Sequence, residues 1–209
     1  MKSTRQKILD TSKNMFNDYG YGQVTIRMIA SELNMSSGNL NYHFKKRVDI
    51  LEALYFQMVE VFDNRIEELD HQKISLQYIR LNIETSMQEM IDYRFFWTDL
   101  YHLLKSNKKI EKHFEAVKTE RINGYHFVFD CLIDQAILKE PSFADEYLLL
   151  IERMINYSNT WIYASALYKN VKNSDETIKH ASFQLLSMLY PYLTSLGQKD
   201  FKKGYTYFF

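Results

Sequence analysis

Apolar residues return at intervals of three and four along most of the chain, the spacing of one face of an α-helix. The clearest series is Leu51, Leu54, Tyr55, Met58, Phe62, Ile66 and Leu69, which predicts one long helix over about 47–69. Upstream, Ile8, Met15, Phe16 and Tyr19 line one face of a first helix from Thr4 to Tyr19, ended by Gly20 and Gly22. A second helix starts at Thr25, whose hydroxyl can cap it, and buries Ile29, Ala30 and Leu33. Asn34 and Met35 make a turn, and Ser36 caps a short third helix through Phe44. Downstream the pattern predicts helices near 75–93, 95–106, 109–138, 142–168 and 175–195. Ser142-Phe-Ala-Asp145 has the form of a helix start, and Ser174 is placed to cap the last long helix. Pro191 should kink that helix or end its regular part.

Composition agrees with long helices. Pro141 and Pro191 are the two prolines and there are six glycines, too few for a turn-rich β fold. With 209 residues, 46% hydrophobic and 15% aromatic, the chain can bury a substantial core. It has no run of 18 apolar residues, so no membrane partner is expected. Met1 is followed by a polar, amphipathic run rather than a signal-peptide core. The single Cys131 excludes an internal disulfide. These features suit a cytoplasmic protein. The net charge of zero hides an asymmetry: residues 1–50 carry eight Lys/Arg against four Asp/Glu, and residues 51–209 carry 18 against 22. The basic end is where phosphate contacts would help.

The chemistry that stands out lies in residues 25–47. Leu40 and Phe44, four apart, can anchor the third helix, leaving Ser37, Asn39, Asn41, Tyr42 and His43 for other faces. Asn suits paired hydrogen bonds to adenine in the major groove, Tyr can meet a thymine methyl or a phosphate, and His can donate to phosphate. Lys45, Lys46 and Arg47 fall where the next helix begins, so their charge and its first amides favour a phosphate. Thr25 and Arg27 open the preceding helix and can grip the backbone across the groove. On residue types alone, a solvated helical hairpin explains this stretch equally well.

An enzyme is disfavoured. The six histidines are scattered, with no metal-ligand spacing, nucleophile motif or phosphate-binding glycine loop. No catalytic residue, metal or cofactor is expected.

Residues 4–54 resemble the N-terminal domain of the TetR/AcrR family of bacterial transcriptional regulators. The resemblance is carried by Thr4-Arg-Gln-Lys-Ile-Leu-Asp10, Phe16, Tyr19-Gly-Tyr-Gly22, Val24-Thr-Ile-Arg-Met-Ile-Ala30, Leu33-Asn-Met-Ser-Ser-Gly38, Leu40, Tyr42-His-Phe44 and Leu51. It implies an all-α fold: a three-helix helix-turn-helix DNA-binding domain at 1–47, then a connecting helix and a helical effector-binding and dimerisation bundle at 48–209. By that resemblance Thr25, Arg27, Ser37, Asn39, Asn41, Tyr42, His43 and Arg47 fall at positions that commonly meet DNA. Two positions depart from the family pattern. Asn41 stands where an aromatic residue is usual, and Lys45-Lys46-Arg47 replaces a turn of the Pro-Ser-Lys type.

The resemblance also implies an operator read by a homodimer, with half-sites about one helical turn (roughly 34–36 Å) apart. The last two long helices, with small residues Ser158, Ala164, Ser165 and Ala166, are the candidates for that interface. Aromatic clusters in the body read as core packing, the commoner fate of such rings, or as an effector pocket. Trp97, Tyr101, Phe127 and Trp161 are the pocket candidates, Tyr101, His102 and Tyr125 are polar handles, and the expected effector is a small apolar or aromatic molecule. Its binding would tilt the connecting helix and release DNA. The alternative is a helical regulator with no small-molecule effector, acting through a protein partner.

Overall fold

The computed structural model describes residues 2–67, 74–168 and 175–204, the side chains of 65–67 and 168 excepted. Within them lie eleven α-helices, and the one β feature is an isolated antiparallel bridge between Leu138 and Leu193. The fold is all-α. Two compact units divide it: Met1–Glu68 with Glu89–Ile110, and Leu69–Gln88 with Glu111–Phe209.

In the first unit α1 spans Thr4–Tyr19, capped by Ser3, whose hydroxyl accepts from Gln6 N–H. Its buried face is Ile8, Leu9, Ser12 and Phe16; Met15 is half-buried, and Tyr19, expected on that face, is 62% exposed. Tyr19 sits beside Gly20, whose φ of 81° ends the helix and turns the chain outward. A 3-10 turn at Tyr21–Gln23 leads to α2 (Ile26–Glu32) and α3 (Ser37–His43). Thr25 caps α2 through Met28 N–H, and Ser36 caps α3 through Asn39 N–H. Between them Asn34 takes a φ of 52°, Asn34 N–H bonds Ser31 C=O, and Met35 N–H bonds Ala30 C=O. That pair closes α2 in a Schellman turn, which Asn tolerates better than most side chains. Ile29, Ala30, Leu40 and Phe44 are buried, while Leu33 is half-buried.

The connecting helix α4 runs Arg47–Glu67 with Leu51, Leu54, Tyr55 and Met58 buried. Leu69, expected to continue its series, lies outside the described residues, as does the Ser174 cap. Next, α5 spans Leu76–Asp92. The helix expected over 95–106 is two: α6 (Arg94–Thr98) and α7 (Leu100–Ser106). Thr98 Oγ bonds back to Arg94 C=O (3.0 Å) and Phe95 C=O (3.3 Å), competing with the ladder where it breaks.

α8 spans Lys108–Asp134. The helix α9 spans Glu146–Tyr168, starting later than Ser142; Glu146 instead takes the Ser142 N–H on its carboxylate. α10 spans Asp175–Ser187 and stops well before residue 195. Pro191 lies in a 3-10 turn, Tyr190–Tyr192, and a further helix, α11 (Ser195–Gly204), follows. There the second unit closes on itself. Thr194 Oγ donates to Ala136 C=O (2.7 Å), Lys139 N–H reaches Tyr192 C=O (3.0 Å), and a Cβ on Gly197 would collide with the Ile137 carbonyl. No helix among the described residues is long and apolar enough to cross a membrane.

Candidate nucleic-acid interface

Leu40 and Phe44 sink into the first unit and fix how α3 is rotated. Asn39, Asn41 and Tyr42 consequently face outward, Tyr42 at 86% exposure, while Ser37 and His43 are half-buried at its edges. The Tyr42 and His43 rings stand edge-on, 5.3 Å apart. Thr25 and Arg27, at the start of α2, are exposed. Thr25 Oγ also accepts from Met28 N–H (3.3 Å), so the hydroxyl is held in place by its own helix.

Arg47 is placed differently from the free cation its sequence position suggests. Its Nη1 donates to the carbonyls of Tyr21 (3.1 Å), Gly22 (3.2 Å) and Val24 (2.6 Å), and the guanidinium lies 4.3 Å from the Tyr21 ring centroid. Half-buried Arg47 thus ties down the turn that ends at the Thr25 cap. The residue before α4 is also engaged: Lys46 N–H donates to the Asp49 carboxylate (2.9 Å). Lys45 and Lys46 remain exposed.

Two residues that sequence reading passed over organise the same unit. Asn17 Nδ2 donates to Asp92 C=O (2.9 Å) and Asn17 Oδ1 accepts from Phe95 N–H (3.0 Å). One amide side chain on α1 therefore satisfies both backbone groups left open between α5 and α6. Arg94 pairs with Asp18 (2.8 Å) and Phe95 packs on Phe16 (5.3 Å) beside it. The second residue is Asn107. Its Oδ1 caps α8 by accepting from Lys109 and Ile110 N–H (both 3.1 Å), and its Nδ2 donates to Glu52 of α4 (2.9 Å). Lys109 Nζ reaches the other Glu52 oxygen (3.0 Å). The Asn107 hydrogen bond and then Lys109 hold the Glu52 carboxyl below its usual pKa. Neither Asn17 nor Asn107 belongs to an apolar series; the cap that Asn107 gives α8 is local, but its Glu52 partner and both partners of Asn17 lie 55 to 78 positions away, where no local signal marks them.

The pocket candidates divide between the units. Trp97 on α6 is buried and Tyr101 on α7 is 69% exposed in the first; Phe127 on α8 is 45% exposed and Trp161 on α9 is 2% exposed in the second. Trp161 Nε1–H is buried with no acceptor among the described residues, a costly state for a donor. An open groove of ≈ 500 Å³ lies in the first unit, bordered by Thr11, Asn14, Met15, Asp18, Tyr19 and Met28 among others, and touches none of the four. Ser158, a candidate for close helix approach, is buried within its own unit and bonds Met154 C=O (2.6 Å). Among the described residues no three His, Cys, Asp or Glu side chains gather as a metal site.

Capped short helices joined by a tight turn, an exposed polar face on the second, and a long helix into an all-α body define a helix-turn-helix transcriptional regulator. Known proteins agree. The profile of "Bacterial regulatory proteins, tetR family" matches residues 8–54, and that of the TetR "Bacterial transcriptional repressor" matches residues 57–201. The chain belongs to the TetR family of bacterial transcriptional regulators. The HTH-type transcriptional regulator QacR of Staphylococcus aureus is 26% identical over 137 residues, 60% of this chain and 68% of its own. A TetR-family regulator from Marinobacter aquaeolei VT8 superposes with a TM-score of 0.87 at 25% identity over 99% of both chains. AibR, crystallised with isovaleryl coenzyme A and operator DNA, shares the fold at a TM-score of 0.62 and 16% identity, over 91% of this chain and 100% of its own.

Proposed function

We propose that the chain is a ligand-responsive repressor that binds a palindromic operator as a homodimer and lets go when a small molecule binds its body. Residues 1–47 read DNA and residues 48–209 hold the effector and form the dimer, through α9 and α10. The observation that carries the reading is the outward face of α3, where Asn39, Asn41 and Tyr42 stand clear of a core anchored by Leu40 and Phe44. Asn39 and Asn41 read base edges, Tyr42 meets a thymine methyl or phosphate, and Ser37, His43, Thr25 and Arg27 hold the flanking backbone. Arg47 acts one step back, by fixing the turn before Thr25. A two-fold dimer supplies the second half-site that one seven-residue helix needs. The effector reading is supported by the buried, unpartnered Trp161 donor and by AibR, which combines this fold with a bound acyl-coenzyme A and operator DNA.

The test is fluorescence anisotropy on upstream DNA, or on sites selected from a random library, with scrambled competitor. Saturable selective binding at two protomers per site is expected. Asn39→Ala and Tyr42→Ala should each weaken specific binding at least about tenfold, given ~1–3 kcal/mol per good base contact, while leaving the oligomer intact. Unchanged operator affinity in both variants would overturn the assignment of α3.

A further inference from the structure

The second unit holds a cation with no counter-charge among the described residues. Arg121, half-buried at the middle of α8, makes one hydrogen bond within them, from Nη1 to Asn159 Oδ1 on α9 (2.7 Å). No carboxylate pairs with it among the described residues. Glu152, two turns before Asn159 on α9, meets Lys118 instead (3.9 Å). Burial depresses the Arg121 pKa, and the phenol of Tyr125, one turn along α8, is the ionisable neighbour acting on it. Tyr125 is half-buried and stands edge-on to Phe129, 6.2 Å away; Phe129 meets Tyr147 at 5.3 Å, and Tyr147 meets Tyr192 at 5.8 Å. Arg121, Tyr125 and Phe129 follow at i, i+4 and i+8, so one face of α8 sets a guanidinium at the end of an aromatic ladder.

A guanidinium taken partly out of water and left with one neutral acceptor costs stability. It is kept where its remaining N–H groups have something to bind. The fork matches a carboxylate in bidentate fashion, and with Lys118 already facing Glu152 a monoanion balances it better than a phosphate dianion.

We propose that Arg121, steadied by Asn159 and flanked by the Tyr125 ring, binds the carboxylate of an effector that carries a flat or apolar body. The proposal rests on the reading that this region holds an effector, and narrows the apolar or aromatic effector of that reading to an acid.

The experiment uses the full chain and its Arg121→Met variant. Calorimetric titration compares naphthalene-2-carboxylate and decanoate with their neutral amides, and thermal melting compares the two proteins without ligand. A carboxylate should bind the wild type at least about tenfold more tightly than its amide, the scale of a charge-assisted hydrogen bond. Arg121→Met should level the two, and should itself melt above the wild type because the uncompensated charge is gone. Both results are required. Absence of a carboxylate preference, binding of neither series included, overturns the proposal; so does a variant that melts at or below the wild type, which marks Arg121 as a packing residue. Operator binding is read separately: a bound carboxylate that leaves DNA attached upholds the site and refutes the release mechanism.

Discussion

Replacing Arg47 with Met decides whether this cation grips DNA or holds the reader in shape. One nitrogen, Nη1, lies within 2.6–3.2 Å of three carbonyls, and its two protons are shared among them. A hydrogen bond from a charged donor contributes about 1.5–3 kcal/mol, and one such contribution is a fair allowance for the half-buried set. Stacking on Tyr21 adds ~0.5–1 kcal/mol. The variant should lose about 2–4 kcal/mol, which at ~2–4 °C per kcal/mol for a chain of this size lowers the melting temperature by about 4–16 °C. Operator affinity should fall as well, since the turn before Thr25 is loosened. The salt dependence separates the roles. Each phosphate neutralised contributes about 0.9 to the slope of log affinity against log salt. A positioning residue leaves that slope unchanged, whereas Lys46→Met, removing an exposed cation beside it, should lower the slope by about 0.9 if it meets a phosphate. Thermal melting and anisotropy titrations at four salt concentrations make the measurement. An Arg47→Met protein that melts like the wild type and loses about 0.9 of slope would refute the clamp.

The joint between α4 and α8 gives two more. Asn107→Ala removes the acceptor for Lys109 and Ile110 N–H and the donor to Glu52; a lost cap of ~1 kcal/mol and a disrupted, partly buried bond of ~1–2 kcal/mol should lower the melting temperature by about 4–12 °C, read by circular dichroism. Glu52 titrates with a folded pKa below its ordinary 4.5, chiefly through the Asn107 hydrogen bond and then Lys109. Its contribution is therefore complete above about pH 4.5 and is lost as pH falls through the lower folded value. The melting-temperature gap between wild type and Glu52→Gln, measured from pH 7 down to pH 3, should narrow below 4.5; a gap that widens would contradict the pairing.

What the sequence made legible follows from how local each cause is. Ser36 and Thr25 act within three residues of themselves, so the caps of α2 and α3 can be read directly. The apolar series of α4 needs only its own periodicity. The break at Thr98 is hidden because Phe95, Phe96 and Trp97 are all buried, and a run that is apolar on every side carries no phase from which a kink can be read. α11 was passed over because Pro191 reads as an ending, whereas here it occupies a 3-10 turn, a position that uses its fixed φ. For Arg47 the position was legible and the partner was not: three carbonyls 23 to 26 residues upstream leave no trace in residue type. Arg121 has the same character, since a charge without a counter-charge shows only once α9 lies beside α8.

Asn17 sets how far the DNA reader can be treated as a portable part. Transplanting residues 1–54 onto another body would leave its amide facing water in place of Asp92 C=O and Phe95 N–H, strip Phe95 from Phe16, and remove Arg94 from Asp18. A recombination event that respects this bond must carry the α5–α6 junction together with α1, although seventy-five residues separate them along the chain. The unit that folds around α1 is therefore discontinuous along the chain: a transplant of residues 1–54 alone leaves this junction unmade, and one that carries residues 89–110 as well keeps the Phe95 contacts.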